Sequence, residues 1–316
     1  MNPSHPRRIQ KESFRFPSRD GRTSLHGISW VPEGEIRGLV QICHGLNNYI
    51  GRYDAFARFL AAEGFLVFGH DYLGHGQSAA YDEDLGYFGP LRGDDYVLAD
   101  ILMLSRTLKA SYPELPLFLI GDAAGTYFVR RYLFTWPEDA DGAVLIAPAG
   151  IRLQEAVFRK ILLAITSFFH KERYRPRRIG RQSKDYMKQR WAAHRSPYAW
   201  LSPNEQKADP YRDFVPTLKL YRDLNHSLGI LAREEKLIDM PEHCPVLILY
   251  GAEDPLSRGG EEPKRLAILY KQAGLDYVSL RGYSESPAEL SAEDKRGAPA
   301  EDILLWLESA LLLGKH

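Results

Sequence analysis

The chain has 316 residues, of which 44% are hydrophobic and 26% are charged, and its formal net charge is zero. This composition predicts a globular protein with one large domain or two smaller ones, and it gives no reason to expect nucleic acid as a partner. The basic N-terminus is not followed by an apolar secretory segment, and the longest apolar run, residues 161–169, is too short to span a membrane, so we expect a cytoplasmic protein.

Strands and helices are predicted to alternate in the first half of the chain. Because such alternation implies crossover connections, it favours a parallel sheet with helices on both faces. Residues 12–16 and 25–31 flank Asp20-Gly21 and predict an antiparallel hairpin at the sheet's edge. The strands that follow are expected at 39–43, 65–68, 115–120 and 143–146, and the helices at 53–64, 94–112 and 126–136.

The pattern changes after Gly150. Residues 151–240 carry no strand signal, whereas 156–170 is a candidate helix. The alternation resumes with predicted strands at 245–250 and 277–280 and predicted helices at 262–273 and 300–313. We therefore predict a mostly parallel, doubly wound α/β core, residues 1–150 and 241–316, with residues 151–240 inserted as a helical cap.

The segment Gly121-Asp122-Ala123-Ala124-Gly125 lies between a predicted strand and a predicted helix. Small residues on both sides of a central position are typical of a nucleophile elbow, a strained turn that holds a nucleophilic side chain above the sheet. Here the centre is Ala123, which has no hydroxyl group and cannot form an acyl-enzyme. The alternative is an ordinary strand-to-helix turn.

The order of several short motifs resembles the monoacylglycerol lipase, lysophospholipase and serine aminopeptidase-like group of α/β-hydrolases. The resemblance runs from about residue 12 to residue 312 and implies the α/β-hydrolase fold. The motifs are His44-Gly45 with Arg52-Tyr53, Asp71 with Gly74-His75-Gly76-Gln77-Ser78, the elbow segment, Ala147-Pro148 and Gly251-Ala252-Glu253-Asp254-Pro255.

This resemblance implies a set of site positions. The backbone N–H groups of Leu46 and Ala124 would form an oxyanion hole, which depends little on side-chain identity. Asp254 would be the acid of the triad; the alternative is a solvated loop carboxylate. The family's histidine position falls on Ala288, and there is no histidine between Cys244 and Lys315, so nucleophile and base are both missing.

Two origins of this loss are open. Alanine at both positions favours deliberate truncation of a serine and a histidine. Asp122, where the family usually has histidine, and the altered segment Ser284-Glu285-Ser286-Pro287 favour natural loss.

Other residues are weaker candidates for the chemistry. Cys43 precedes His44, but neighbours on a strand point to opposite faces. Asp122 lies beside the elbow, where adjacent side chains diverge, and His75 lies in a tight turn that favours a structural role. Cys43 and Cys244 form no metal-binding pattern, and nothing implies a metal or an organic cofactor.

The cap carries the candidate ligand-binding residues. Ile161, Ile165 and Phe168 lie largely along one side of the predicted helix 156–170, where they would suit an acyl chain; the alternative is that this side packs on the sheet domain. We add His44 and Asp122 as candidate substrate-binding residues. The basic run 173–178 favours either a headgroup site or a solvated loop.

Three functions remain open. The first is an ester hydrolase of the lipase or lysophospholipase type, inactive as written. The second is a binding protein for a lipid-like ligand or a partner protein. The third is an enzyme that uses the oxyanion hole without a covalent step. Peripheral membrane contact would occur through the cap.

Overall fold

The computed structural model describes residues 8–149, 153–176, 209, 211–212, 214–233, 244–251, 258–283 and 297–313. Within these residues, eight strands form one sheet in the order β1-β2-β4-β3-β5-β6-β7-β8. The strands are β1 (Ile9–Pro17), β2 (Ser24–Pro32), β3 (Gly38–Cys43), β4 (Phe65–His70), β5 (Leu117–Asp122), β6 (Gly142–Ile146), β7 (Val246–Gly251) and β8 (Val278–Tyr283).

The predicted hairpin lies at one edge of this sheet. Strands β1 and β2 pair antiparallel from Ile9 opposite Pro32 to Pro17 opposite Ser24, and β2 also pairs antiparallel with β4. All pairings from β4 through β3, β5, β6 and β7 to β8 are parallel. The predicted mostly parallel α/β sheet is therefore confirmed.

Helices cover both faces of the sheet. They are α1 (Asp54–Ala62), α2 (Gly93–Ser111), α3 (Gly125–Thr135), α4 (Leu153–Phe169), α5 (Leu218–Leu231), α6 (Glu261–Gln272) and α7 (Gly297–Leu313). Alternate residues of each central strand enter opposite cores, as the pleat requires. Leu39 packs with the buried side chains of α2 and α3, whereas Val40 packs with those of α1 and α7.

The described part of segment 151–240 includes two helices. Helix α5 packs against α2 and α3 of the sheet domain and against α4. The Asn225 side chain donates a hydrogen bond to the Ala156 carbonyl, 3.1 Å away, which links α5 to α4. The boundaries 151 and 240 stay predictions. None of the described helices is long and apolar enough to cross a membrane.

Candidate active site

The turn after β5 is strained at Ala123. Its φ is +48°, a left-handed conformation that is costly for a residue with a Cβ atom. The Ala123 amide donates to the Ile146 carbonyl at 2.9 Å, and its carbonyl accepts from the Thr126 hydroxyl at 2.6 Å. These bonds fix the turn between β5 and the start of α3, and the side chain at its centre is a methyl group.

The two flanking glycines are required by this turn. A Cβ atom placed on Gly125 would lie 2.0 Å from the Cys43 carbonyl oxygen, and one on Gly121 would lie 2.9 Å from Thr126 Cα. Both distances are too short for real contacts. The small residues in the sequence therefore have a steric cause, as a nucleophile elbow requires; the assignment of Ala123 to the nucleophile position stays a prediction.

The loop that follows β3 lies directly on the elbow. A Cβ atom placed on Gly45 would be 3.6 Å from Ala123 Cβ and 3.3 Å from the Asp122 carbonyl oxygen. Leu46 is the next residue of this loop, and Ala124 is the N-cap residue of α3. The structure thus brings together the segments that carry both backbone groups assigned to the oxyanion hole, whose pairing as donors stays a prediction.

His44 is fully buried, and both of its ring nitrogens are engaged. The Tyr72 amide donates to Nε2 at 3.1 Å, so Nδ1 carries the proton and donates to the Gly45 carbonyl at 2.9 Å. Burial, assisted by the nearby His75, lowers the pKa of His44 well below its usual value. His44 is therefore a neutral ring that holds the loop, and its predicted contact with substrate stays a prediction.

Burial keeps two other candidate catalytic side chains, Cys43 and His75, in their uncharged forms. Burial raises the pKa of the Cys43 thiol to about 12, so the thiolate needed for attack does not form near neutral pH. Burial also lowers the pKa of His75 to about 4, and its Nδ1 is 2.9 Å from the Leu73 carbonyl. A structural role fits His75, as the sequence indicates.

Asp122 is the last residue of β5 and is only 3% exposed. Its Oδ2 accepts a hydrogen bond from the Tyr53 hydroxyl at 2.7 Å. From the sequence, Tyr53 was identified only as part of a motif, and its pairing with Asp122 was not predicted. Asp254 and Ala288, the predicted acid and histidine positions, lie outside the described residues.

The exposure of the cap helix α4 excludes one of the two alternatives for its apolar side. Ile161, Ile165 and Phe168 on α4 are 52%, 53% and 86% exposed, so this side of the helix does not pack on the sheet domain. Contact of these residues with an acyl chain stays a prediction. In the basic run, the Arg173 guanidinium pairs with Asp84 at 2.9 Å, and Arg175 donates to the Leu85 carbonyl at 2.8 Å.

The segment before α5 reaches the candidate site from the cap. The Asn47 side-chain amide donates to the Phe214 carbonyl at 3.0 Å, and the Phe214 ring stacks edge-on against His75 at 5.4 Å. Asn47 has a φ of +53°, which asparagine tolerates better than most residues. Sequence reasoning missed Asn47 because its partner lies far along the chain.

A mostly parallel eight-stranded sheet with helices on both faces and a strained turn after β5 defines an α/β-hydrolase fold. The model of the family described as serine aminopeptidase, S33, matches residues 34–288, and the chain belongs to this family.

Curated relatives match over a shorter region. The chain is 33% identical to a monoglyceride lipase of Rattus norvegicus over 119 residues, which are 38% of this chain and 37% of that protein. It is 31% identical to a monoacylglycerol lipase of Mycolicibacterium smegmatis over 120 residues, 38% of this chain and 41% of that protein. The matched region thus spans well under half the length of these relatives.

A solved structure described as a lipase in its open form resembles this one with a TM-score of 0.80 at 21% identity, over 96% of this chain and 99% of that one. A thermostable carboxyl esterase from Bacillus coagulans gives a TM-score of 0.72 at 20% identity, over 96% of this chain and 100% of that one. At these identities the likeness shows the fold alone.

Proposed function

We propose that this chain binds an acyl ester or a related lipid-like ligand on a lipase-type scaffold and does not hydrolyse it by a serine mechanism. The observation that carries the proposal is the methyl group of Ala123 at the centre of the elbow. Covalent acyl transfer needs a nucleophile and a base that accepts its proton, and alanine supplies no lone pair.

Within the described residues, two neighbours of the elbow do not act as a substitute nucleophile or base. The Cys43 thiol is fully buried with a raised pKa, and the His44 ring has both nitrogens bonded to backbone atoms. The ligand class rests on the relatives named monoglyceride lipase and on the loop that lies against the elbow. Backbone donors act without a catalytic side chain, so a carbonyl oxygen remains a suitable ligand group.

Turnover of a short-chain nitrophenyl ester tests the proposal. The unaltered chain should not exceed the roughly 10³–10⁴-fold acceleration over water that remains when a triad is removed. Ala123→Ser combined with Ala288→His should raise turnover at least about a hundredfold over either single variant, because triad members act as a unit. The single variants are the matched controls.

Turnover by the unaltered chain well above that residual level, retained through repurification, would overturn the non-hydrolytic proposal. If the double variant shows no gain in ester turnover, the claim that the backbone donors of the oxyanion hole are retained is contradicted.

A second candidate is an inactivated ester hydrolase, favoured by alanine at both the nucleophile and the histidine positions. The native gene decides between the two: serine at 123 and histidine at 288 in the gene would establish the hydrolase and exclude the natural binding protein.

We further propose that α4 contacts a lipid surface through its exposed apolar side chains. Contiguous exposed apolar side chains often mark a protein or membrane contact, and the basic residues Arg159 and Lys160 flank this group. An amphipathic helix of this kind can bury its apolar side at the boundary between headgroups and acyl chains. The exposed apolar residues are Val157, Phe158, Ile161, Leu162, Ile165, Phe168 and Phe169.

Co-sedimentation with vesicles of phosphatidylcholine and phosphatidylglycerol tests this extension. Ile161→Asp combined with Phe168→Asp should weaken binding at least about tenfold, because two exposed apolar side chains that would enter the lipid are lost. Leu305→Asp on α7 is the matched control, since Leu305 is also exposed, at 60%, but lies on another helix. Equal loss in the variant and the control, or no binding by the unaltered chain, would contradict a lipid-facing α4.

A further inference from the structure

A buried hydrogen-bond chain connects the elbow to the loop above it. Tyr53 is 1% exposed, and its hydroxyl donates to Asp122 Oδ2 at 2.7 Å. The same hydroxyl oxygen accepts from the Gly45 amide at 3.3 Å and from the Asn48 side-chain amide at 3.1 Å. Three separate segments, the end of β5, the loop after β3 and the start of α1, therefore meet at one phenol oxygen.

The direction of these bonds follows from counting protons. A phenol has one hydrogen to donate, whereas an amide N–H can only donate. Because Gly45 and Asn48 both donate to the Tyr53 oxygen, the single phenol hydrogen is directed to Asp122. The bonds run in one direction, from Gly45 through Tyr53 to Asp122, and bonds arranged in this way polarise and strengthen one another in a buried setting.

This chain of bonds acts on the position of the oxyanion-hole loop. Gly45 immediately precedes Leu46, and it also lies against Ala123 and the Asp122 carbonyl oxygen. Ala124, which carries the second backbone donor, is the second residue after Asp122. The spacing between the Leu46 and Ala124 amides therefore depends on how firmly Gly45 is held to the elbow.

We infer that Asp122 and Tyr53 are positioning residues that set the two backbone donors for one ligand group, the carbonyl oxygen of an acyl ester. The inference rests on the proposed ligand-binding function and narrows it: the site distinguishes an acyl ester from the ether of the same length and headgroup. Asp122 acts through Tyr53 and needs no contact with the ligand.

The test compares two ligands that differ in one carbonyl group, 1-monododecanoylglycerol and 1-O-dodecylglycerol, by calorimetry below their micellar concentrations. The unaltered chain should prefer the ester by about tenfold, the effect of one or two net hydrogen bonds. Tyr53→Phe and Asp122→Leu should bring the ratio of the two affinities close to one. Asp122→Asn should keep most of the preference, because the asparagine oxygen still accepts the Tyr53 hydrogen.

The ratio of the ester affinity to the ether affinity separates positioning from general stability, since the loss of a merely structural residue would weaken the binding of both ligands equally. Tyr132→Phe is the matched control, because it removes a buried phenol hydroxyl near the other end of α3. Tyr53→Phe retains the buried ring, so it serves if Asp122→Leu does not fold.

Each outcome has a distinct meaning. If the unaltered chain binds neither ligand, the proposed function fails. If it binds both equally, the positioning inference fails while acyl binding stands. A Tyr53→Phe protein that keeps the full ester preference, or an Asp122→Asn protein that loses it as completely as Asp122→Leu, overturns the inference.

Discussion

At the scale of single residues, the turn at Ala123 combines tight steric requirements with a central side chain that is only a methyl group. Gly121 and Gly125 are still forced to be small by the backbone of Thr126 and Cys43. Ala123 still adopts the strained φ of +48° that presents a side chain at the centre of the turn. The turn is therefore strained although its central side chain carries no nucleophilic group, and the proposed binding function would account for that strain.

The steric requirement predicts a large effect of one methyl group. Gly125→Ala should lower the free energy of unfolding by about 3 kcal/mol, because the new Cβ would meet the Cys43 carbonyl oxygen and the turn must shift. Urea denaturation measures this change in the free energy of unfolding. Gly229→Ala on α5 is the control, since its Cβ would enter open space, and it should be neutral or slightly stabilising.

An equal effect of the two alanine substitutions would mean that the turn relaxes without cost, and the elbow geometry would then be wrong.

At the scale of elements, α5 is joined to the sheet domain by a buried charged network. Asp94 on α2 is fully buried, and its Oδ2 accepts from Arg131 on α3 and from His226 and Ser227 on α5, each at 2.8 Å. Arg131 also pairs with Asp95 at 2.6 Å. Although Asp94, Asp95 and His226 lie close enough to ligate a metal, the Arg131 guanidinium already supplies their positive charge.

This network predicts a pH dependence of stability. The hydrogen bond to Asp94 raises the pKa of His226 above 6.5, with further support from the charges of Asp94 and Asp95 and opposition from burial and Arg131. A raised folded-state pKa means that the protonated ring stabilises the fold. The contribution is fully present below the unfolded-state pKa and is lost as pH rises through the folded-state pKa.

Chemical denaturation of the unaltered chain and of His226→Gln between about pH 5 and pH 9 checks this dependence. The stability difference between the two proteins should be largest at the acidic end and should shrink as pH rises. A difference that is constant over this range, or that grows with pH, would contradict the role of His226. Glutamine keeps a side-chain N–H donor, so the difference between the two proteins isolates the charge of the His226 ring.

At the scale of the whole molecule, the sequence predicted most elements and a mostly parallel sheet with a hairpin at its edge, but not the order of the strands. Helices and strands of the α/β core were found close to the expected positions because apolar periodicity is a local property. The placement of β4 between β2 and β3 could not be derived, since strand order depends on how crossovers pack in three dimensions. The exposed side of α4 was likewise not predictable, because apolar periodicity identifies a face but not what covers it.

The sequence by itself determined that the elbow position is alanine and that the C-terminal region before His316 lacks a histidine, because both are matters of residue identity. It also determined the glycine spacing that the turn requires. Only the tertiary structure decided that Tyr53 links Gly45 to Asp122, that both His44 nitrogens are engaged, and that α5 is held to the core through Asp94. The physical reason is that a hydrogen bond or an ion pair depends on distance and direction in space. Residues such as Tyr53 and Asp122, 69 positions apart, carry no local signal of their pairing.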